Sequence, residues 1–298
     1  MTIHLIPGVP AGLAGERSFI LENAAGMTVT IAERGAALRA WYAPDRYGRM
    51  ADVLQAGSGV ATSSGGRTAR WEGRESDGVV SLALTAGGDG AGMLVHYRLD
   101  DEGGLTIEYQ AVAGVPIPLA ALAHPSFNLS GGQADVGDHM LQIDADYFEE
   151  TGPGGAPAGV TAVGGTPFDF RQPAAIGPRL CWTDTQIHRT GGFDHCFCVR
   201  NHFAGGQGAL REVARVFDPA SGRRLQVYTT EAAVRFSSDP EAVDASRDLP
   251  DGALPRMEAL RVEAQPRPGL MSAAWPRVML MPGQVYRQTT VYRLSLQG

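Results

Sequence analysis

Residues 215–228 read RVFDPASGRRLQVY, and this stretch decides the class of the fold. Two strand-like arms flank DPASG, whose proline and glycine suit a tight hairpin connection. The arms predict antiparallel strands. Working outward, RLQVYTTE (224–231) sets Leu225 and Val227 opposite Gln226 and Tyr228, and in LTIEYQAV (105–112) Leu105, Ile107, Tyr109 and Val112 fall nearly in step. A period of two with one apolar face marks half-buried strands. Breaks such as APDRYG (43–48), TAGGDGAG (85–92) and DDEGG (100–104) recur at intervals that suit a large antiparallel system. No long amphipathic helix, heptad or fixed-period repeat interrupts them, so the chain reads as one all-β domain over residues 1–298.

Composition narrows the partners. Hydrophobic residues make up 44% of the 298, enough for a core, while the 39 glycines and 19 prolines are spread as turn punctuation. The net charge of −7 has no basic stripe to oppose it, which argues against nucleic acid or an anionic membrane as partner. All 25 basic residues are arginine. No run approaches the roughly 20 apolar residues of a membrane helix. The odd set Cys181, Cys196 and Cys198 is no disulfide framework, and the N-terminus lacks a positive n-region; both lead to the expectation of a cytoplasmic protein. Three segments, 57–78, 149–167 and 237–257, read as long loops of the kind that carry function.

The densest chemistry lies in GGFDHCFCV (191–199). As a metal site, Asp194, His195, Cys196 and Cys198 all belong to the ligand set of zinc or iron. As a strand, the same residues separate, with Phe193, His195, Phe197 and Val199 on one face and Asp194, Cys196 and Cys198 on the other. Two further stretches offer proton chemistry. His124 precedes a proline in LAHPSFNLSGG (122–132), which holds it extended; it is either a packed histidine or a general acid working near neutrality. Glu263 in LRVEAQPRPG (260–269) shares a strand face with Arg261 and Gln265; alone it is a solvent-facing glutamate, and beside an acid it is a natural base.

Seven phrases in order alter those readings. HPSFNLSGG, GDHMLQIDADYF, GGTPFDFRQP, GGFDHCFCV, DPASGRRLQVYTTE, VEAQPRPG and LMPGQVYRQTTVYRL, across about residues 120 to 294, resemble the aldose 1-epimerase (galactose mutarotase) family. The N-terminal GAALRAWYAPDRYGRMADVL resembles the family's opening strands more weakly. The resemblance implies a galactose mutarotase-like β-supersandwich, mostly antiparallel, with a sugar site on a concave sheet. It implies an isomerase that interconverts the α and β anomers of a free monosaccharide, with Glu263 as base and His124 as acid. Asp194 would contact sugar hydroxyls, and no metal or other cofactor is called for. Cys196 and Cys198 then read as small buried hydrophobes, and His139 and His195 as structural. Asn128, within HPSFNLSGG, and Gln265, on the face of Glu263, join the substrate-binding candidates.

The chain also departs from the family. The family's phrase GR-x-A-N-R-I survives only as a trace in GGRTARW (65–71), so Arg70, or else Arg67, would supply the pocket arginine. Its N-H-L-H-G-G phrase is absent from the shortened stretch between Ala56 and Val79, which implies a more open pocket. Ser237 stands where an aromatic is usual. A carbohydrate-binding or sensing protein without turnover is the alternative function, and epimerisation of a phosphorylated hexose a third, for which the candidate arginines 67, 70 and 74 lie in one loop only.

Overall fold

The computed structural model describes residues 2–6, 17–55, 71–85, 92–118, 125–181, 183–200, 208–238, 257–266 and 279–297. The hairpin of the opening stretch is formed by Arg211–Phe217 and Arg223–Thr229, with Val216 opposite Leu225 and Phe217 opposite Arg224. Asp218 builds the turn. Its amide donates to the Arg223 carbonyl at 2.9 Å, and its carboxylate accepts the amides of Ala220 at 3.2 Å and Ser221 at 3.0 Å. Gly222 closes the turn at φ +76°, where a Cβ would come within 2.7 Å of the Arg46 guanidinium. Only glycine meets both conditions.

From the hairpin the chain builds a nine-stranded sheet in the order Ala174–Ala175, Met140–Ile143, Arg211–Phe217, Arg223–Thr229, Val285–Leu296, Gly104–Val112, Gly92–Leu99, Val79–Thr85, Trp71–Ser76. A six-stranded sheet runs Ser126–Phe127, Leu260–Gln265, Ala233–Ser237, Asp194–Val199, Ala145–Thr151, Pro157–Ala162. A five-stranded sheet joins Thr2–Ile6, Ser18–Glu22, Thr28–Ala32, Ala37–Pro44 and Met50–Asp52. Every strand pair among the described residues is antiparallel. The α-helix among them is Thr185–Thr190, capped by the Asp184 side chain at its start and by left-handed Gly191 at its end. No helix of the described residues is long and apolar enough to cross a membrane.

Two expected loops contain strands. Within 57–78, Trp71–Ser76 pairs with Val79–Thr85, and Gly73 sits in that strand because the Phe19 ring lies where its Cβ would be, 2.4 Å away. Within 149–167, Pro157–Ala162 pairs with Ala145–Thr151 as an edge strand. Its small residues bury no apolar face, so alternation left no signal. The third segment, 237–257, begins at the end of the strand Ala233–Ser237, and its residues 239–256 lie outside the described residues.

Between the sheets the core is aromatic. Trp41 of the five-stranded sheet, Phe127 of the six-stranded and Tyr292 of the nine-stranded meet with ring centroids 6.4 and 5.4 Å apart. A second cluster lies behind the strand Asp194–Val199: Phe148, Phe168, Phe170, Phe193, Phe197 and Phe236 are all buried, with Phe148 stacked on Phe168 at 4.1 Å. Each such ring contributes about 1.5–3 kcal/mol on burial. His195 is enclosed in this cluster, 4.6 Å from the Phe168 ring. Its Nδ1 accepts the Asp194 amide at 3.1 Å, so Nε2 carries the hydrogen that faces Gln186 Oε1 at 3.2 Å. Burial holds its pKa down at about 4, against the opposing pull of Asp194 and Asp184. His139 behaves alike: Nε2 accepts the Leu129 amide at 3.1 Å, and burial depresses its pKa. Both histidines are structural, as the sequence predicts.

One buried cation ties the sheets together. Arg223, 2% exposed, donates to the carbonyls of Leu129 at 2.8 Å, Ala43 and Arg49 at 3.1 Å, and Pro44 at 3.2 Å. Ser221 Oγ adds a bond to the Leu129 carbonyl at 3.0 Å, and Arg46 returns from the other side to the Pro219 carbonyl at 2.8 Å. Neighbouring Arg224 is only half-buried and donates to Ser295 Oγ at 3.1 Å.

Buried carbonyls that lose a donor cost about 1–3 kcal/mol each. Arg223→Met is therefore expected to lower unfolding free energy by at least about 3 kcal/mol, and Arg224→Met by no more than about 1 kcal/mol. Urea unfolding of the two variants checks the contrast. The histidines fix a pH dependence. A pKa lowered on folding makes the unfolded chain the better proton acceptor, so this stability is complete above the unfolded value near 6.5 and drains as pH falls toward the folded one. For His195 the loss approaches about 3 kcal/mol by pH 4. Urea titrations at pH 7.5, 6 and 5 should show a steeper acid loss in the wild type than in His195→Gln; equal slopes would refute the assignment.

Candidate active site

GGFDHCFCV contains the strand Asp194–Val199, whose faces alternate as the period of two predicts. His195, Phe197 and Val199 point into the core at 2, 1 and 6% exposure, while Asp194, Cys196 and Cys198 are half-exposed on the opposite face. The imidazole and the thiols are on opposite sides of the sheet. Among the described residues no group of three or more metal-ligating side chains assembles. The cysteines differ from expectation: they are partly exposed on the outer face, not buried in the core. Burial raises the Cys198 thiol to about 11, and the nearby Glu149 charge adds to that, so it stays protonated at neutral pH.

Register brings the other charges to the same face. Cys196 lies opposite Arg235, and Arg235 lies opposite Glu263, so one row crosses three strands. The Arg235 guanidinium grips Asp194 with both arms, Nε to Oδ1 at 2.7 Å and Nη2 to Oδ2 at 2.6 Å. That bond raises the arginine's pKa, with further help from the charge of Glu263. The pair is about a third to a half exposed, so it is worth at most about 1 kcal/mol to stability. Its larger effect is to hold the carboxylate in one orientation. Each carboxylate oxygen keeps a lone pair for a further donor.

Glu263 is 4% exposed on the strand Leu260–Gln265. Arg261 and Gln265 are its neighbours on that face, one on each side and half-buried. Arg261 Nε donates to Ser126 Oγ at 2.8 Å, and Ser126 is its cross-strand partner. Ser126 follows His124 by two positions in the chain. His124 itself, with Arg67 and Arg70, lies outside the described residues. Asn128 does not join the group. At 2% exposure its amide donates to the carbonyls of Ala134 and Glu258, both at 2.8 Å, and its oxygen accepts Ser130 N at 3.0 Å and Ser130 Oγ at 2.6 Å. It holds the loop together and has no group left for a sugar.

Thus Asp194, Glu263 and Gln265 share one polar face and Asn128 is withdrawn from it. The sequence reading missed Arg235 and Arg261. Arg235 had a signal, the outward position in AVRFS beside the same strand as Asp194, but its partners depend on register. Ser237 is buried opposite both Asp194 and Arg261.

Comparisons with known proteins bear on the family and the fold. The family described as Aldose 1-epimerase matches residues 63–293. Galactose mutarotase of Mus musculus is 36% identical over 206 residues, 68% of this chain and 57% of that protein, and aldose 1-epimerase of Escherichia coli K12 is 32% identical over 68% and 58%. The chain therefore spans under three fifths of the length of the curated relatives it matches. In fold, a GalM/aldose epimerase homologue from C. elegans superposes with a TM-score of 0.74 at 21% identity, covering 95% of this chain and all of that one. A galactose 1-epimerase from Lactobacillus acidophilus gives 0.73 at 18% identity, covering 100% and 99%. The family match over more than three quarters of the sequence, on an antiparallel scaffold of the same fold, makes this chain a member of the aldose 1-epimerase family.

Proposed function

We propose that the protein interconverts the α and β anomers of a free aldose by acid–base ring opening, with Glu263 as the base and His124 as the acid. The observation that carries this reading is Glu263: a carboxylate almost withdrawn from water on the outer face of a sheet, opposite one guanidinium and beside another. A glutamate serving only solubility would lie in solvent. Family membership supports the same assignment, and the three free cysteines fit a reducing compartment.

On opening, the Glu263 carboxylate takes the proton of the anomeric hydroxyl. The freed electron pair forms the aldehyde C=O, the bond from C1 to the ring oxygen breaks, and His124 protonates that oxygen. Rotation about C1–C2 presents the other face. Closure then runs in reverse, with Glu263 returning its proton and His124 recovering one, so both groups end as they began. Asp194, oriented by Arg235, accepts hydrogen bonds from ring hydroxyls and positions C1 over Glu263.

Glu263→Gln and His124→Ala are each expected to lower the catalysed rate about 10²–10⁴-fold while the circular dichroism spectrum is kept. Polarimetry on freshly dissolved α-anomers of galactose, glucose, xylose, arabinose and fucose is the measurement. A near-wild-type rate in either variant refutes that residue's role; saturable sugar binding with no anomerisation by the wild type would instead make this a binding protein. Dialysis against EDTA is expected to leave the rate unchanged, since no step uses a metal.

A further inference from the structure

Arg261 differs in its partners from Arg235, Arg200, Arg171 and Arg223. Arg235 is neutralised by Asp194, Arg200 by Asp144 and Asp146, Arg171 by Asp169 and Asp146, and Arg223 is held by four carbonyls. Arg261 forms no ion pair among the described residues, and its Nε bond to Ser126 Oγ orients the fork while leaving both terminal nitrogens to other acceptors. It is half-buried and lies two residues from Glu263 on the same strand face, about 6.6–6.8 Å away along the backbone. Its charge lies beside that of buried Glu263, and the bond to Ser126 engages only one of its five N–H donors.

We infer that Arg261 receives an anionic substituent of the sugar, and that the site takes an aldose carrying one carboxylate, a hexuronate. This rests on the anomerase reading above. In a hexuronate the carboxylate is borne on C5, and C5 and C1 flank the ring oxygen, so a carboxylate on Arg261 and an anomeric hydroxyl on Glu263 fall on neighbouring positions of one strand. Charge favours a carboxylate over a phosphate, because the face already holds two guanidiniums and two carboxylates and a substituent of −1 adds the smaller excess. Arg235 is already committed to Asp194, so among the described residues of this face Arg261 is the guanidinium without an ion pair, and a single carboxylate matches its fork geometry. A phosphate monoester brings about −1.5 to −2 and would leave excess negative charge beside Glu263 and Asp194.

The test compares kcat/KM for galacturonate and glucuronate with that for galactose, glucose and galactose 6-phosphate at neutral pH, in the wild type, Arg261→Gln and Arg261→Lys. A charge-assisted hydrogen bond implies a uronate-to-neutral selectivity ratio that falls about ten- to hundredfold in Arg261→Gln. Arg261→Lys, which keeps the charge, is expected to recover part of it. Galacturonate binding by calorimetry reads the same loss independently of turnover, and urea midpoints show that the variants are folded. Turnover of neutral aldoses with uronates no better, or a ratio indifferent to Arg261, overturns the inference and leaves the anomerase intact. Preference for the 6-phosphate also overturns it. If the wild type anomerises no sugar, the anomerase reading fails by itself, and calorimetry then decides whether Arg261 binds the carboxylate.

Discussion

The buried guanidinium of Arg223 is the constraint on which the rest of the structure depends. Its four carbonyl acceptors come from three places distant in sequence: Leu129 in the loop after Phe127, Ala43 and Pro44 at the end of one strand, and Arg49 just before the next. A charged group is costly to bury, and full hydrogen bonding is what offsets that cost. The three segments can meet the requirement only when all are in place. The hairpin turn that carries Arg223 thereby fixes the five-stranded sheet against the nine-stranded one and pins the start of the loop that leads away from the strand Ser126–Phe127. His139 reinforces the same loop through the Leu129 amide, and its Nδ1 faces Asp218 of the turn at 4.0 Å.

The six-stranded sheet divides labour between its faces. Inward, a cluster of phenylalanines encloses His195; outward, Asp194, Arg235, Glu263, Arg261 and Gln265 form a polar floor. The two faces are made by alternate residues of the same strands, so the rigidity of the aromatic layer passes directly to the polar groups above it. Asp194 and His195 are adjacent in the chain, and the bond from the Asp194 amide to the imidazole couples the floor to the core. These polar groups are positioned by strands rather than by loops, which fixes their geometry relative to one another.

With no lysine in the sequence, every cationic role falls to arginine, and the planar fork is used in three ways. Arg223 spans carbonyls, Arg235 and Arg200 clasp carboxylates with both arms, and Arg179 lies 5.3 Å over the Phe170 ring. A lysine could replace none of these without loss of geometry.

Alternation, a local property, was legible along the chain. It separated the faces of GGFDHCFCV, placed Glu263 with Arg261 and Gln265, and with DPASG marked the hairpin; the seven family phrases identified the scaffold. Where the local pattern was weak, the reading failed: Trp71–Ser76 is interrupted by a glycine that accommodates Phe19, and Pro157–Ala162 is an edge strand with no apolar face. Asn128 was misplaced for a related reason, since a short amide can serve a sugar or its own loop and only the position of Ala134 and Glu258 decides. Arg235 between Asp194 and Glu263, the bond of Arg261 to Ser126, and the clamp of Arg223 were decided by tertiary structure alone. Each depends on which residues of strands far apart in the chain come into register, and cross-strand pairing is set by the packing of whole sheets, not by the period of any one strand.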